Sequence, residues 1–162
     1  MITLKLKGNI IAGLKKSDRT IKTGVAEAVK RASTIIWGTA IKEAPVGASG
    51  QLRKSIRREL YPTKAKIYPG VKYAVDVHDG RSPADVQANF GEIWQSARKG
   101  GSLHRWAVKR GLNPYAVANA MKKKGTKPNP FFDRTKDKTE DQVAKELDGV
   151  LTTLVSRIAE GK

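Results

Sequence analysis

SDRTIKTGVAEAVKRASTIIWGTAIKEAP, residues 17–45, is the stretch from which the rest of the chain can be read. Ile21, Val25, Val29, Ala32, Ile36 and Ala40 recur at three- and four-residue steps, one continuous apolar stripe that Ile35 and Trp37 widen near its end. Ser17 or Asp18 offers an oxygen to the first free backbone N–H groups, and Pro45 lacks a donor and restricts Ala44, so a long helix is predicted between them. Upstream, Ile2, Leu4 and Leu6 alternate with Thr3 and Lys5 as a strand with one buried face does, and residues 9–16 predict a short helical turn with Ile10, Ile11 and Leu14 on one side. Downstream, VGASG (46–50) is a turn by composition. Residues 55–77 read as strands, with Ile56 and Leu60, then Ala65, Ile67 and Val71, then Tyr73, Val75 and Val77 as the apolar positions. Pro62 and Pro69 interrupt that run and belong at edges, bulges or turns. Two or three antiparallel strands with an exposed basic face are expected, ending at HDGRSP (78–83).

The second half reads as helices. Ser82, Pro83 and Asp85 have the spacing of a capping box with proline at the first helical position. Val86, Phe90, Ile93, Trp94 and Ala97 then predict one helix as far as Gly100. Ser102 caps a short helix with Leu103, Trp106 and Ala107 inward, and Asn113 followed by Pro114 starts another that Gly125 terminates. TKPNP (126–130) is an extended linker to Phe131 and Phe132, and a last helix is predicted from Lys136 to Ala159 along Val143, Leu147, Val150, Leu151, Leu154 and Ile158. Strands set between segregated helices give an α+β fold: a small antiparallel sheet packed by a long N-terminal helix and a C-terminal helix, with a basic helical insert. At 162 residues a single domain is expected, organised as strand, helix and sheet over 1–83, the helical insert over 84–127, and linker plus last helix over 128–162.

Lys and Arg number 32 against 15 Asp and Glu, a formal charge of +17. Residues 98–127 hold Arg98, Lys99, Arg105, Lys109, Arg110, Lys122, Lys123, Lys124 and Lys127 and no acid. Arg53, Lys54, Arg57 and Arg58 form a second cluster, with Lys64, Lys66 and Lys72 after it, while Asp137, Glu140, Asp141, Glu146, Asp148 and Glu160 make the C-terminal helical segment the acidic counterweight. Self-repulsion at this charge opposes compaction unless an anionic neighbour screens it, and nucleic acid or the acidic surface of a protein assembly both qualify. The asymmetry also allows head-to-tail packing of copies. The first sixteen residues, MITLKLKGNIIAGLKK, have apolar runs broken by Lys5, Lys7 and Gly8, so neither a signal peptide nor a membrane span is expected. The chain has no cysteine, which excludes disulfides, thiolate nucleophiles and cysteine-ligated zinc and fits a reducing compartment.

Chemistry-bearing constellations are sparse. No phosphate-binding glycine loop, dinucleotide fingerprint or nucleophile elbow is present. His78 and His104 fall on different predicted elements, and DVHD (76–79) lacks the spacing of a helical metal motif. On a strand, Asp76 and His78 would share a face, which keeps a small nuclease using Asp76, His78 and Asp79 as the least favoured reading. No catalytic, metal or cofactor-binding residue is assigned, and no cofactor is expected. Residues 102–125 look like a helix-turn-helix, but the start of its second helix, Asn113-Pro114-Tyr115-Ala116, presents no Arg or Gln to base edges. The candidate contacts to an anion or partner are Arg53, Lys54, Arg57, Arg58, Arg105, Lys109, Arg110, Lys122, Lys123, Lys124 and Lys127. Phe131 and Phe132 are candidate interface anchors, or else pins that hold the basic arm on its own core.

Three stretches resemble a known family. EAPVGASGQLRKSI (43–56) is similar to an Ala-Pro-Val, polar turn with Gly, Leu-Arg-x-Ser-Ile pattern. VKYAVDVHDGRSP (71–83) is similar to a strand with Tyr-Ala, an acid, then Gly-Arg-x-Pro. LHRWAVKRGL (103–112) and AVANAMKKKGTKPNPFF (116–132) are similar to a Trp-centred basic helix, a second helix ending in basic residues, Gly-Thr and an aromatic pair. In that order and spacing they resemble the tailed-bacteriophage neck and tail-completion family. Gly47, Ala48 and Ser49 replace a frequent Asp-Thr pair, and His78 stands where an acid is common. The resemblance implies a non-catalytic virion protein at the neck or tail top, assembled in the host cytoplasm. Its implied partners are copies of itself in a ring or collar, other head–tail connector and tail proteins, and packaged DNA through sequence-independent contact; no membrane is involved. A basic DNA-binding protein using the helical hairpin is the alternative.

Overall fold

In the computed structural model, which describes residues 1–5, 19–47 and 49–159, strand β1 (Ile2–Lys5) precedes helix α1 (Arg19–Glu43). The apolar stripe of α1 is the buried one: Val25, Val29, Ala32, Ile36 and Ala40 are all shielded from solvent. The expected turn over 9–16 and the cap at Ser17 or Asp18 lie outside the described residues. A one-turn helix, α2 (Gln51–Ser55), leads into β2 (Ile56–Tyr61) and β3 (Lys64–Pro69). Five short helices follow: α3 (Ala74–Asp79), α4 (Pro83–Ala88), α5 (Phe90–Ser96), α6 (Ser102–Val108) and α7 (Pro114–Lys124). The last is α8 (Phe131–Ala159). The α+β class is as expected, and the residues divide into two compact units.

The first unit comprises Met1–Glu43, Ile56–Pro69 and Phe132–Lys162. Its sheet has the order β1-β3-β2, antiparallel throughout, with Ile2 opposite Ile67 and Arg58 also opposite Ile67. Ile56, Ala65 and Ile67 are buried on the face that α1 covers. The other face holds Arg57, Glu59, Lys64 and Lys66, the expected basic side, with Glu59 accepting hydrogen bonds from the hydroxyls of Tyr61 and Tyr68. These bonds hold the Glu59 carboxyl below the ordinary glutamate range. Helix α8 runs antiparallel to α1: Leu154 packs with Val25 at one end, and Arg134 and Lys138 bind the Glu43 carboxylate at the other, at 3.1 Å and 2.6 Å. A Cβ at Gly24 would stand 2.5 Å from Leu154, so glycine there permits the close approach of the two helices.

The second unit comprises Ala44–Ser55 and Gly70–Phe131. It takes in the basic insert expected over 84–127 together with the loops on either side. Val86, Ile93, Ala97 and Ala118 form its core, with Phe90, Trp94, Leu103 and Met121 against them. Three expectations are corrected here. Residues 71–77 are not a strand: Tyr73 and Val75, which strand alternation would bury, are 40% and 63% exposed, while Ala74 is buried in α3. The physical reason is that burial here follows a helical and not a strand period: Ala74 is buried and Val77 and His78, three and four residues on, are half-buried, while Val75 faces solvent. The single helix expected from Val86 to Gly100 is broken at Asn89, whose backbone leaves the helical region and whose amide donates to the Asp85 carbonyl, as asparagine does in competition with the helix ladder. The last helix starts at Phe131, directly after Pro130, and not at Lys136, because Phe132, Thr135 and Thr139 extend the buried stripe back to that point.

Candidate docking site in the second unit

The glycines at 80 and 125 allow the backbone to close the helical segment into a loop. Both have left-handed φ, +76° and +72°, and each touches the opposite strand: a Cβ at Gly80 would meet the Thr126 carbonyl, and one at Gly125 would meet the Arg81 carbonyl. Between them Arg81 and Thr126 form an antiparallel bridge, with Thr126 N–H donating to the Arg81 carbonyl at 2.9 Å and Arg81 N–H to the Thr126 hydroxyl at 2.9 Å. Next to the bridge, Asn129 N–H donates to the carbonyls of Val77 and His78. Inside it, Ser82 starts α4 with a complete capping box: Asp85 N–H donates to the Ser82 hydroxyl, and the Asp85 carboxylate accepts from Ser82 N–H and hydroxyl. Those bonds lower the Asp85 carboxyl below the ordinary aspartate range.

Beside this clasp lies a cavity of about 650 Å³. Pro45, Val46 and Leu52 line it from the first loop, Tyr73, Asp76 and Arg81 from the second, and Leu103, Arg105, Trp106, Met121 and Lys127 from the helical hairpin and its exit. Its volume is in the range of small-ligand and peptide-side-chain pockets, about 300–1,000 Å³. Its walls are mainly apolar. Its one carboxylate, Asp76, is paired with Arg81 and raises that guanidinium's affinity for its proton. Arg105 and Lys127 are exposed at the rim, so the net field of the mouth is positive.

The cationic candidates fall into different environments. In the second unit, thirteen Lys and Arg face four Asp and Glu. Lys54, Lys109, Lys123 and Lys124 are exposed on α2, after α6 and at the end of α7. Arg110 stacks over the Trp106 ring at 4.4 Å and Lys122 over Phe90 at 4.6 Å, so both keep a charge in water above an aromatic floor. Arg53 is turned inward and donates to the Ala44 carbonyl at 2.6 Å, bracing the first loop. Arg57 and Arg58 belong to the first unit, on opposite faces of β2. Arg57 is exposed, whereas Arg58 is half-buried, lies over Trp37 and donates to the Thr34 hydroxyl. The cluster 53–58 is therefore divided, and only Lys54 and Arg57 of its four present their charge to solvent.

Phe131 is fully buried and meets the His78 ring edge-on at 5.5 Å; Phe132 is 6% exposed. Both rings are thus buried within the chain itself. Asp76 and His78 do not share a face, because α3 is a helix and positions two apart point about 200° from each other. Asp76 turns to Arg81 and His78 to Asp79, its Nδ1 2.7 Å from the carboxylate. Among the described residues no group of three or more His, Asp and Glu is placed to hold a metal ion, and no helix is long and apolar enough to cross a membrane. Asn113 is exposed and caps α7, its Oδ1 accepting from Tyr115 N–H and Ala116 N–H, so the oxygen of that amide is engaged within the chain.

Sequence reasoning found the cations and the caps but not the clasp or the cavity. The signal for the clasp was the pair of glycines in DGR (79–81) and KGT (124–126), a weak one until the two segments are seen side by side. Comparison with protein-family models, with curated proteins and with solved structures gave no match to this chain.

Proposed function

We propose that this chain is a bacteriophage virion structural protein of the neck, a tail-completion or head–tail joining subunit that works by docking to other polypeptides and assembles into a ring or collar. One observation carries the reading: the three stretches in which the family resemblance resides, 43–56, 71–83 and 103–132, converge on a single cavity of the second unit. Segments that repeat a pattern only as scattered motifs have a shared physical task when they line one site. That site is an apolar hollow with a cationic mouth, suited to a protruding segment of a neighbouring protein, with an apolar side chain inside and carboxylates at the rim. The excess charge serves the same end, since packaged duplex passing through a neck meets it as sequence-independent, salt-sensitive attraction. The DNA-binding alternative gains less support, because the amide oxygen of Asn113, at the start of the hairpin's second helix, is spent on capping that helix.

The deciding experiment is deletion of the gene from the phage that encodes it. Heads and tails should accumulate unjoined, with density missing at the neck of any particle recovered. Mature infectious virions that lack the protein would refute the proposal.

A further inference from the structure

Among the described residues, the turn between α6 and α7 gathers three exposed large apolar side chains in a short stretch. Val108, Leu112 and Tyr115 are 56%, 45% and 40% exposed within eight residues, and Lys109 and Arg110 stand exposed among them. Three large apolar side chains held in water beside two cations form a surface that is incomplete in the isolated chain. A pure phosphate-binding surface would have no use for the apolar part.

Helix α8 carries the complement. Asp137, Glu140, Asp141, Ala144, Asp148, Leu151 and Val155 are all exposed, Leu151 at 45% and Val155 at 65%. At 100° per residue these seven positions fall within a sector of about 100°, and no Lys or Arg lies inside it. Lys136, Lys138 and Lys145 flank it outside, and Lys138 is already bound to Glu43. From Asp141 to Val155 the face runs about 21 Å, carboxylates first and apolar side chains last. The two surfaces are opposite in charge, and each combines exposed apolar side chains with charged ones.

We infer that the occupant of the α6–α7 turn is a second copy of this chain: the acidic-apolar face of α8 in one copy docks on Val108, Lys109, Arg110, Leu112 and Tyr115 of the next. The two patches differ, so the contact is heterologous and propagates head to tail, closing into a ring if the rotation permits. This rests on the docking reading above and names the partner and the surfaces. Charge provides register and rate, and the covered Val, Leu and Tyr side chains provide the persistence of the contact.

The test is a charge swap on the full chain, read by sedimentation. The wild type should self-associate at low ionic strength and dissociate as salt is raised. Variant one, Lys109→Glu with Arg110→Glu, and variant two, Asp141→Lys with Asp148→Lys, should each lose association by about a hundredfold. Mixed in equal amounts they should associate again, because the acidic turn of the first meets the basic helix of the second and the two native faces meet in alternation. Circular dichroism equal to wild type establishes that both variants are folded, and the milder pair Lys109→Gln/Arg110→Gln and Asp141→Asn/Asp148→Asn should show intermediate losses. A wild type that stays monomeric at every concentration overturns the inference. So do variants that associate as wild type does, a mixture of folded variants that fails to recover, and association that appears only when duplex DNA is added. Self-association through these faces by a protein absent from virions would leave the interface standing and remove the neck reading; the converse result would do the opposite.

Discussion

Glu43 illustrates how single residues set the first unit. It is 17% exposed at the end of α1 and receives Lys138 and Arg134 from α8, which hold its carboxyl below the ordinary glutamate range. A group whose folded pKa is depressed stabilises fully above its unfolded value and loses that contribution as pH falls through the folded one. Glu43→Gln should therefore lower stability to denaturant at neutral pH, and the gap to wild type should close in acid, below the glutamate range. A gap that persists unchanged in acid would mean the side chain acts through packing and not through its charge. Gly24, Gly80 and Gly125 act by what they lack: each lets another part of the chain come closer than a Cβ would allow. None of the three could be assigned that role from its neighbours in sequence, because the atoms it makes room for belong to residues distant in the chain.

Among the elements, α4 is the most locally determined. Ser82, Pro83 and Asp85 supply acceptor, fixed φ and return bond in the first turn, and the helix forms where their spacing predicts. Ser82→Ala should destabilise the protein by about 1 kcal/mol in chemical unfolding, the usual loss for an N-cap hydroxyl. No measurable loss would show that the clasp between Arg81 and Thr126 holds the helix start without the cap. At the other extreme is α3. Its sequence, AVDVHD, alternates as a strand would, yet it is a helix that buries Ala74 and leaves Val75 in solvent. The split between α4 and α5 at Asn89 and the early start of α8 at Phe131 are intermediate cases, in which a local signal was present and tertiary packing chose its position.

At the scale of the whole molecule, the +17 charge is the dominant fact, and nine of the cations in the acid-free stretch 98–127 surround or adjoin the hairpin. Attraction to DNA is then expected as a general property of the chain. Affinities for two unrelated duplexes should be equal within error and should fall steeply as salt rises, with a slope set by the number of phosphates neutralised. A strong preference for one duplex that Asn113→Ala abolishes would transfer the hairpin to sequence readout and weaken the assembly proposal. The motif resemblance was legible because turns and caps are short-range patterns. The cavity on which the motifs converge was not, since it is made of three loops that periodicity does not connect.

Sequence alone determined the α+β class, the stripe of α1, the caps of α4 and α7, and where the positive charge is concentrated, because each depends on spacing within a few residues or on simple counting. Tertiary structure decided the rest. It made β3 the central strand, turned 74–79 into a helix, drew Arg53 and Arg58 inward, buried Phe131 and Phe132, and closed the helical loop at two glycines. These outcomes depend on which distant segment is already in place, and a side chain cannot signal in its own neighbourhood what will be packed against it.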